Sequence, residues 1–251
     1  MKARVTEYAG VQLRDYLLGR APLVVVLTGL AAWGYAAWSG LTVQSFDSSA
    51  GVAARGELER AFHVSLAAFA FLAAALAVHG LVARHRRRGY DRVIFSRPID
   101  PARYYVQGFA LAGLGGVLIG TAAAEVYGIA VHAVSLPGVA AYVALGWLSI
   151  GGLAFLLSTL TTFHVPLLVL LLGADFALDR YGAALQAAGV RADVLAVAQY
   201  LLPPGHVVAS LSESFARGFE FDPRVLIWPV SFGVACLVAA LLLLRKRPFG
   251  S

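Results

Sequence analysis

Residues 61–88 read AFHVSLAAFAFLAAALAVHGLVARHRRR. The 23 residues from Ala61 to Ala83 contain no Asp, Glu, Lys or Arg, and they run directly into Arg84, Arg86, Arg87 and Arg88. A bilayer core of about 30 Å is crossed by roughly 20 apolar residues of helix. A charge-free stretch of that length ending in a basic run is the pattern of a transmembrane helix held at the cytoplasmic face.

The same pattern recurs on both sides. Further spans are expected at about 22–41, 104–131, 139–160, 165–178 and 225–244, which with 61–83 makes six in a single transmembrane domain covering 1–251. Composition agrees: 59% of residues are hydrophobic, 14% are charged, and mean hydropathy is +0.75. A soluble domain carries about a quarter charged residues, so a soluble enzyme and a disordered chain are both excluded. The lone Cys236 excludes an intrachain disulfide and a cysteine-based metal site. The segment before the first span is too long for the n-region of a cleaved signal peptide, and that span has full bilayer length.

The net charge of +6 is unevenly placed. With both termini cytoplasmic, fourteen of the 20 basic residues lie inside, seven of them between Arg84 and Arg103. Eight of the 14 acids then lie outside, so the basic excess is an orientation signal rather than a nucleic-acid footprint.

Three loops stand out. Thr6–Arg20 suits an amphipathic helix in the cytoplasmic interface, or else an ordinary charged flank. Between spans two and three, Tyr90-Asp91-Arg92-Val93-Ile94-Phe95-Ser96-Arg97-Pro98 forms a short amphipathic stretch stopped by Pro98, followed by Asp100 as N-cap and Pro101 at the first helical position. Its apolar Val93-Ile94-Phe95 reads as a docking surface for another protein or as a helix lying flat on the membrane. Outside, residues 179–224 hold two apolar stretches too short to span, separated by Pro203-Pro204-Gly205-His206. Two half-helices dipping into the outer leaflet fit this, as an outer gate or cavity lining.

Ionisable residues inside spans are functional candidates. Asp175 is ten residues past Val165, about 15 Å of rise and near the bilayer middle; it lines a path or makes a structural hydrogen bond. Glu125, about 31 Å along span three, reaches the outer interface. His206, after the Pro-Pro-Gly break, is a gate residue or a simple loop histidine. His63 and His79 lie about 24 Å apart along one helix, too far to share a metal. Gly108, Ala112, Gly116, Gly120, Ala124 and Gly128 recur every four residues along span three, so that another helix, of this chain or of a second copy, packs closely there.

Leu13-Arg14-Asp15-Tyr16-Leu17 before span one, the loop from Gly89 through Ile94-Phe95-Ser96-Arg97-Pro98 to Arg103-Tyr104-Tyr105, Ser158-Thr159-Leu160-Thr161 after span four, and Tyr200-Leu201-Leu202-Pro203 with His206 before a last span ending in Arg245-Lys246-Arg247 together resemble the ABC-2 type permeases, the membrane subunits of ATP-binding-cassette exporters. Within that family the chain looks most like the gliding-motility and nitrous-oxide-reductase-maturation permeases, with Leu202 where their pattern has Ser. The resemblance covers essentially the whole chain. It implies a bacterial plasma-membrane protein in which the loop around Tyr90–Arg103 is a coupling helix seated on a cytoplasmic ATPase. Two ATPase copies would bind ATP and Mg, and two permease copies, as a homodimer, would frame the export path within membrane lipid.

This chain has no Gly-x-x-x-x-Gly-Lys-Ser/Thr phosphate loop, and its only lysines are Lys2 and Lys246. ATP hydrolysis by that route falls to a partner, and no cofactor is expected in the chain itself. Two rivals remain. An intramembrane enzyme or redox subunit requires Asp175, Glu125 and histidines to converge. A non-transporting anchor for a cytoplasmic complex requires only the docking loop.

Overall fold

The computed structural model describes residues 10, 14, 16–20, 22–29, 50–79, 82, 100–130, 134–218 and 222–246. These residues form helices joined by short turns. They are α1 (Ala50–His79), α2 (Pro101–Ala130), α3 (Leu136–Leu160), α4 (His164–Ala187), α5 (Ala192–Leu201), α6 (Gly205–Ser210), α7 (Ser212–Ala216) and α8 (Ile227–Lys246). A turn of π-helix at Tyr16–Arg20 and helical residues 22–29 precede them.

Among the described residues, Leu58–Val78, Pro101–Ile129, Leu136–Leu160 and Pro223–Lys246 are long and apolar enough to cross a membrane. The pair Ala192–Leu201 and Gly205–Ala216 meets the same requirement when taken as one unit, bent by 78° at its break. The chain is therefore a multi-pass helical membrane protein. Of the expected first span, residues 22–29 are helical, and the rest lies outside the described residues. The expected fifth span corresponds to α4, which continues past Leu178 to Ala187. It is long enough to cross, but Asp175, Asp179 and Arg180 lower its hydropathy below that of the four. Helix α1 starts eleven residues before Ala61, carrying Glu59 and Arg60 on its extension.

Local sequence explains the helix starts. Asp100 Oδ1 accepts the Ala102 backbone N–H at 2.9 Å, capping α2 ahead of Pro101. Ser135 Oγ does the same for Gly138 N–H at 3.2 Å, with Pro137 in the first turn of α3. In mid-course α3 loosens into a π-turn at Trp147–Gly151.

Two apolar clusters hold the bundle. One gathers Tyr105 and Phe109 of α2, Ile150, Ala154 and Phe155 of α3, Leu168 of α4 and Ala240 of α8. The other joins Phe69 and Ala73 of α1, Tyr142 and Val143 of α3, and Val208 and Phe215 of α6 and α7. Glycine allows the closest crossings. A Cβ on Gly152 would stand 2.7 Å from the Gly233 carbonyl oxygen, so the backbones of α3 and α8 touch there. The four-residue stripe on α2 packs within the chain: a Cβ on Gly120 would come within 2.9 Å of Phe69 and Val143, and one on Gly116 would approach Ala73 and Tyr16. Gly108, Ala112 and Ala124 are buried, and Gly128 is half-buried beside Val134.

Candidate functional site

Helix α5 ends where Pro203 and Pro204 remove two backbone donors and fix φ. Gly205 N–H then donates to the Pro203 carbonyl at 2.8 Å, and Val208 N–H to that of Pro204 at 3.0 Å, which starts α6. Pro203, Pro204 and Gly205 are all buried. The break points at α4, where Asp175 is fully buried, at 0% exposure.

Asp175 and His206 meet there through two hydrogen bonds. Asp175 Oδ2 accepts the His206 backbone N–H at 2.7 Å, and Oδ1 lies 2.7 Å from the ring Nδ1. Gly205 makes the approach possible, since a Cβ there would lie 3.1 Å from Asp175 Oδ2 and 2.8 Å from Leu172. On its far side, His206 Nε2 is 3.2 Å from the Gln199 side-chain nitrogen. An ionised carboxylate only accepts, so Nδ1 carries a proton in this arrangement; in the neutral ring Nε2 is then the acceptor for a Gln199 amide hydrogen. The ring also packs on Trp228, centroids 5.9 Å apart, and Trp228 packs edge-on to Tyr200 at 5.5 Å. Residues from α4, α5, α6 and α8 therefore converge on one imidazole.

Chemically this is an acceptor–imidazole–amide chain. Among the described residues the ring nitrogens of His206 are hydrogen-bonded to Asp175 and Gln199. No group of three or more His, Cys, Asp or Glu side chains is arranged to hold a metal ion among the described residues. What the geometry does is join the broken helix pair to α4 at the depth of the break.

A second polar cluster joins the far end of that pair to α1. The Arg217 guanidinium lies 3.2 Å from Glu59 and 2.7 Å from Glu213, and His63 Nε2 is 3.8 Å from Glu59. The Ser135 backbone N–H also donates to the Ala216 carbonyl at 2.7 Å. Sequence reading missed this cluster. Glu59 and Arg217 are separated by 158 residues, and each looks like an ordinary loop charge.

Asp175, Pro203, Pro204 and His206 are thus brought together. Glu125 is not with them; it is exposed on α2. Tyr90, Val93, Ile94, Phe95, Ser96, Arg97 and Pro98, the docking loop, lie outside the described residues.

Compared with known proteins, the chain matches no family model, no curated protein and no solved structure.

Proposed function

We propose that this protein is the membrane subunit of an ATP-driven exporter of the ABC-2 permease type, with six spans and both termini in the cytoplasm of a bacterial cell. Residues 22–41 supply the first span and α4 the fifth. The path is framed by two copies of the chain, and ATP and Mg are bound by a separate cytoplasmic ATPase that docks on Tyr90–Pro98.

The observation that carries this reading is the bent pair. Irregular backbone at membrane depth is stable only where protein or water covers it. Here the break is buried and tied to the carboxylate of a neighbouring helix. A pure anchor has no need of a broken, specifically held helix. An export subunit does, because its outer end must close and open.

Affinity purification of the full chain from its native membrane tests the reading. A stoichiometric ATP-binding-cassette ATPase is expected to accompany it. Replacing Val93, Ile94 and Phe95 together with Ala is expected to release that ATPase or uncouple its activity while the chain stays folded. Purification with no such partner sinks the proposal.

A further inference from the structure

Helix α7 has five residues, too few to persist as a helix without contacts from elsewhere. Its polar contacts with α3 are uncharged. The Ser135 N–H donates to the Ala216 carbonyl, and a Cβ on Gly138 would collide with the Phe215 carbonyl oxygen. Its polar tie to α1 is charged, and it runs through Arg217, the C-cap residue of α7.

A single atom, Glu59 Oε1, carries that tie. It lies 3.2 Å from Arg217 Nη2 and 3.8 Å from His63 Nε2. One carboxylate oxygen therefore stands between a guanidinium on the α7 side and an imidazole on its own helix. The same Arg217 Nη2 lies 2.7 Å from Glu213 Oε1. Each end of the bridge thus has a second partner one turn away: His63 is four residues after Glu59, and Arg217 is four after Glu213.

His63 is buried, at 9% exposure, and neither ring nitrogen has a hydrogen-bond partner among the described residues. An imidazolium there has two N–H donors and a full charge to satisfy, and a buried charge needs a partner. The charged groups facing the ring are Glu59 on α1 and Glu213 and Arg217 on the α7 side. Helix α2 adds the neutral Tyr127 phenol, stacked on Phe62. Glu59, one turn away on the same helix, is the acceptor within reach of a small side-chain rotation.

We propose that His63 is a proton-operated switch that ties α7 to α1 or releases it. With His63 neutral, Glu59 holds Arg217 and the two helices are joined. With His63 protonated, Glu59 turns to the Nε2–H, Arg217 falls back on Glu213, and both ion pairs become intrahelical. No charge is stranded by the exchange, and the α3 contacts keep α7 from leaving the bundle. Imidazole changes charge between about pH 5 and 8, so mild acid drives the release. The switch goes beyond the exporter reading and needs no ATPase; that reading supplies only the side of the membrane whose pH is sensed, the outer one.

The test is hydrogen exchange of the full chain in lipid nanodiscs at about pH 5.5 and about pH 8, on either side of the imidazole range. Rates are corrected for the pH dependence of chemical exchange. In the wild type, amides 212–217 are expected to exchange at least about threefold faster in acid, a change of the size that a partly exposed ion pair supports. His63→Gln stays neutral at both values and is expected to keep these amides protected at both. Glu59→Gln lacks the shared acceptor and is expected to exchange fast at both. Circular dichroism checks that each variant is folded, and if His63→Gln is not, Glu59→Gln decides. A wild type without the acid step overturns the proposal. So does a step that survives in His63→Gln, which then belongs to another group such as His206, or a wild-type profile in Glu59→Gln. ATPase capture is scored separately: a switch without an ATPase refutes the exporter reading alone, and an ATPase without the acid step refutes the switch alone.

Discussion

Asp175 and His206, 31 residues apart in the chain, share two hydrogen bonds of 2.7 Å, one to the backbone and one to the ring. One carboxylate therefore fixes both where α6 begins and how its first side chain is turned. Sites at which a single group sets backbone and side chain together are poorly tolerant of change, because no neighbour takes over either role.

Asp175→Ala removes both acceptors and leaves the His206 N–H and ring nitrogen facing a small void. Leaving a buried donor without its acceptor costs about 1–3 kcal/mol, and with two donors orphaned at once thermal unfolding in detergent is expected to show a loss at the top of that range or above it. Asp175→Asn is milder. Its oxygen accepts the backbone N–H, but its amide nitrogen then faces the ring, which must change tautomer and force the Gln199 amide to turn. A loss of about 1–2 kcal/mol is expected, with altered transport in vesicles. Unchanged stability in both variants contradicts the geometry; normal transport by a stable Asp175→Asn chain confines Asp175 to structure.

The Arg217 cluster is the contrasting case. Arg217 is half exposed and its partners Glu59 and Glu213 are partly exposed. Ion pairs in such settings contribute about 0–1 kcal/mol and weaken with salt. Arg217→Ala is expected to lower stability by less than about 1 kcal/mol, with the difference shrinking between low and high salt. A loss as large as that of Asp175→Ala shows that the cluster is shielded in the membrane-embedded protein.

What could be read from the sequence follows from what each feature depends on. Spans two, three, four and six were legible because helix length and hydropathy are local. So were the Asp100 cap and the break at Pro203-Pro204, since each is set by a residue and its immediate neighbours. Asp175 and His206 were singled out separately, one as an acid inside a span and the other as a histidine after a break. Their contact was not visible, because it depends on how α6 folds back onto α4. The π-turn at Trp147–Gly151 and the Gly152–Gly233 crossing left no signal either. Gly152 and Gly233 lie in apolar runs, and nothing local says which glycine meets another backbone. The extent of α4 is not legible at Asp179: a charge there marks the end of an apolar run, whereas the helix continues to Ala187.

Glycines with opposite surroundings give the last prediction. At Gly233 an added Cβ would run into the backbone of Leu148 and Ser149, and backbone cannot swing aside as a side-chain end does. Gly233→Ala is therefore expected to push α8 away from α3 and to cost about 1–3 kcal/mol. Gly182 lies inside α4, where an added Cβ would meet nothing within 4 Å. Gly182→Ala removes backbone freedom from the unfolded chain without creating a clash, and a gain of up to about 1 kcal/mol is expected. Thermal melts of both variants beside wild type decide the matter. A destabilised Gly182→Ala chain means that a neighbour covers this turn of α4 in the assembled protein, and a neutral Gly233→Ala chain means that α3 and α8 cross farther apart than described.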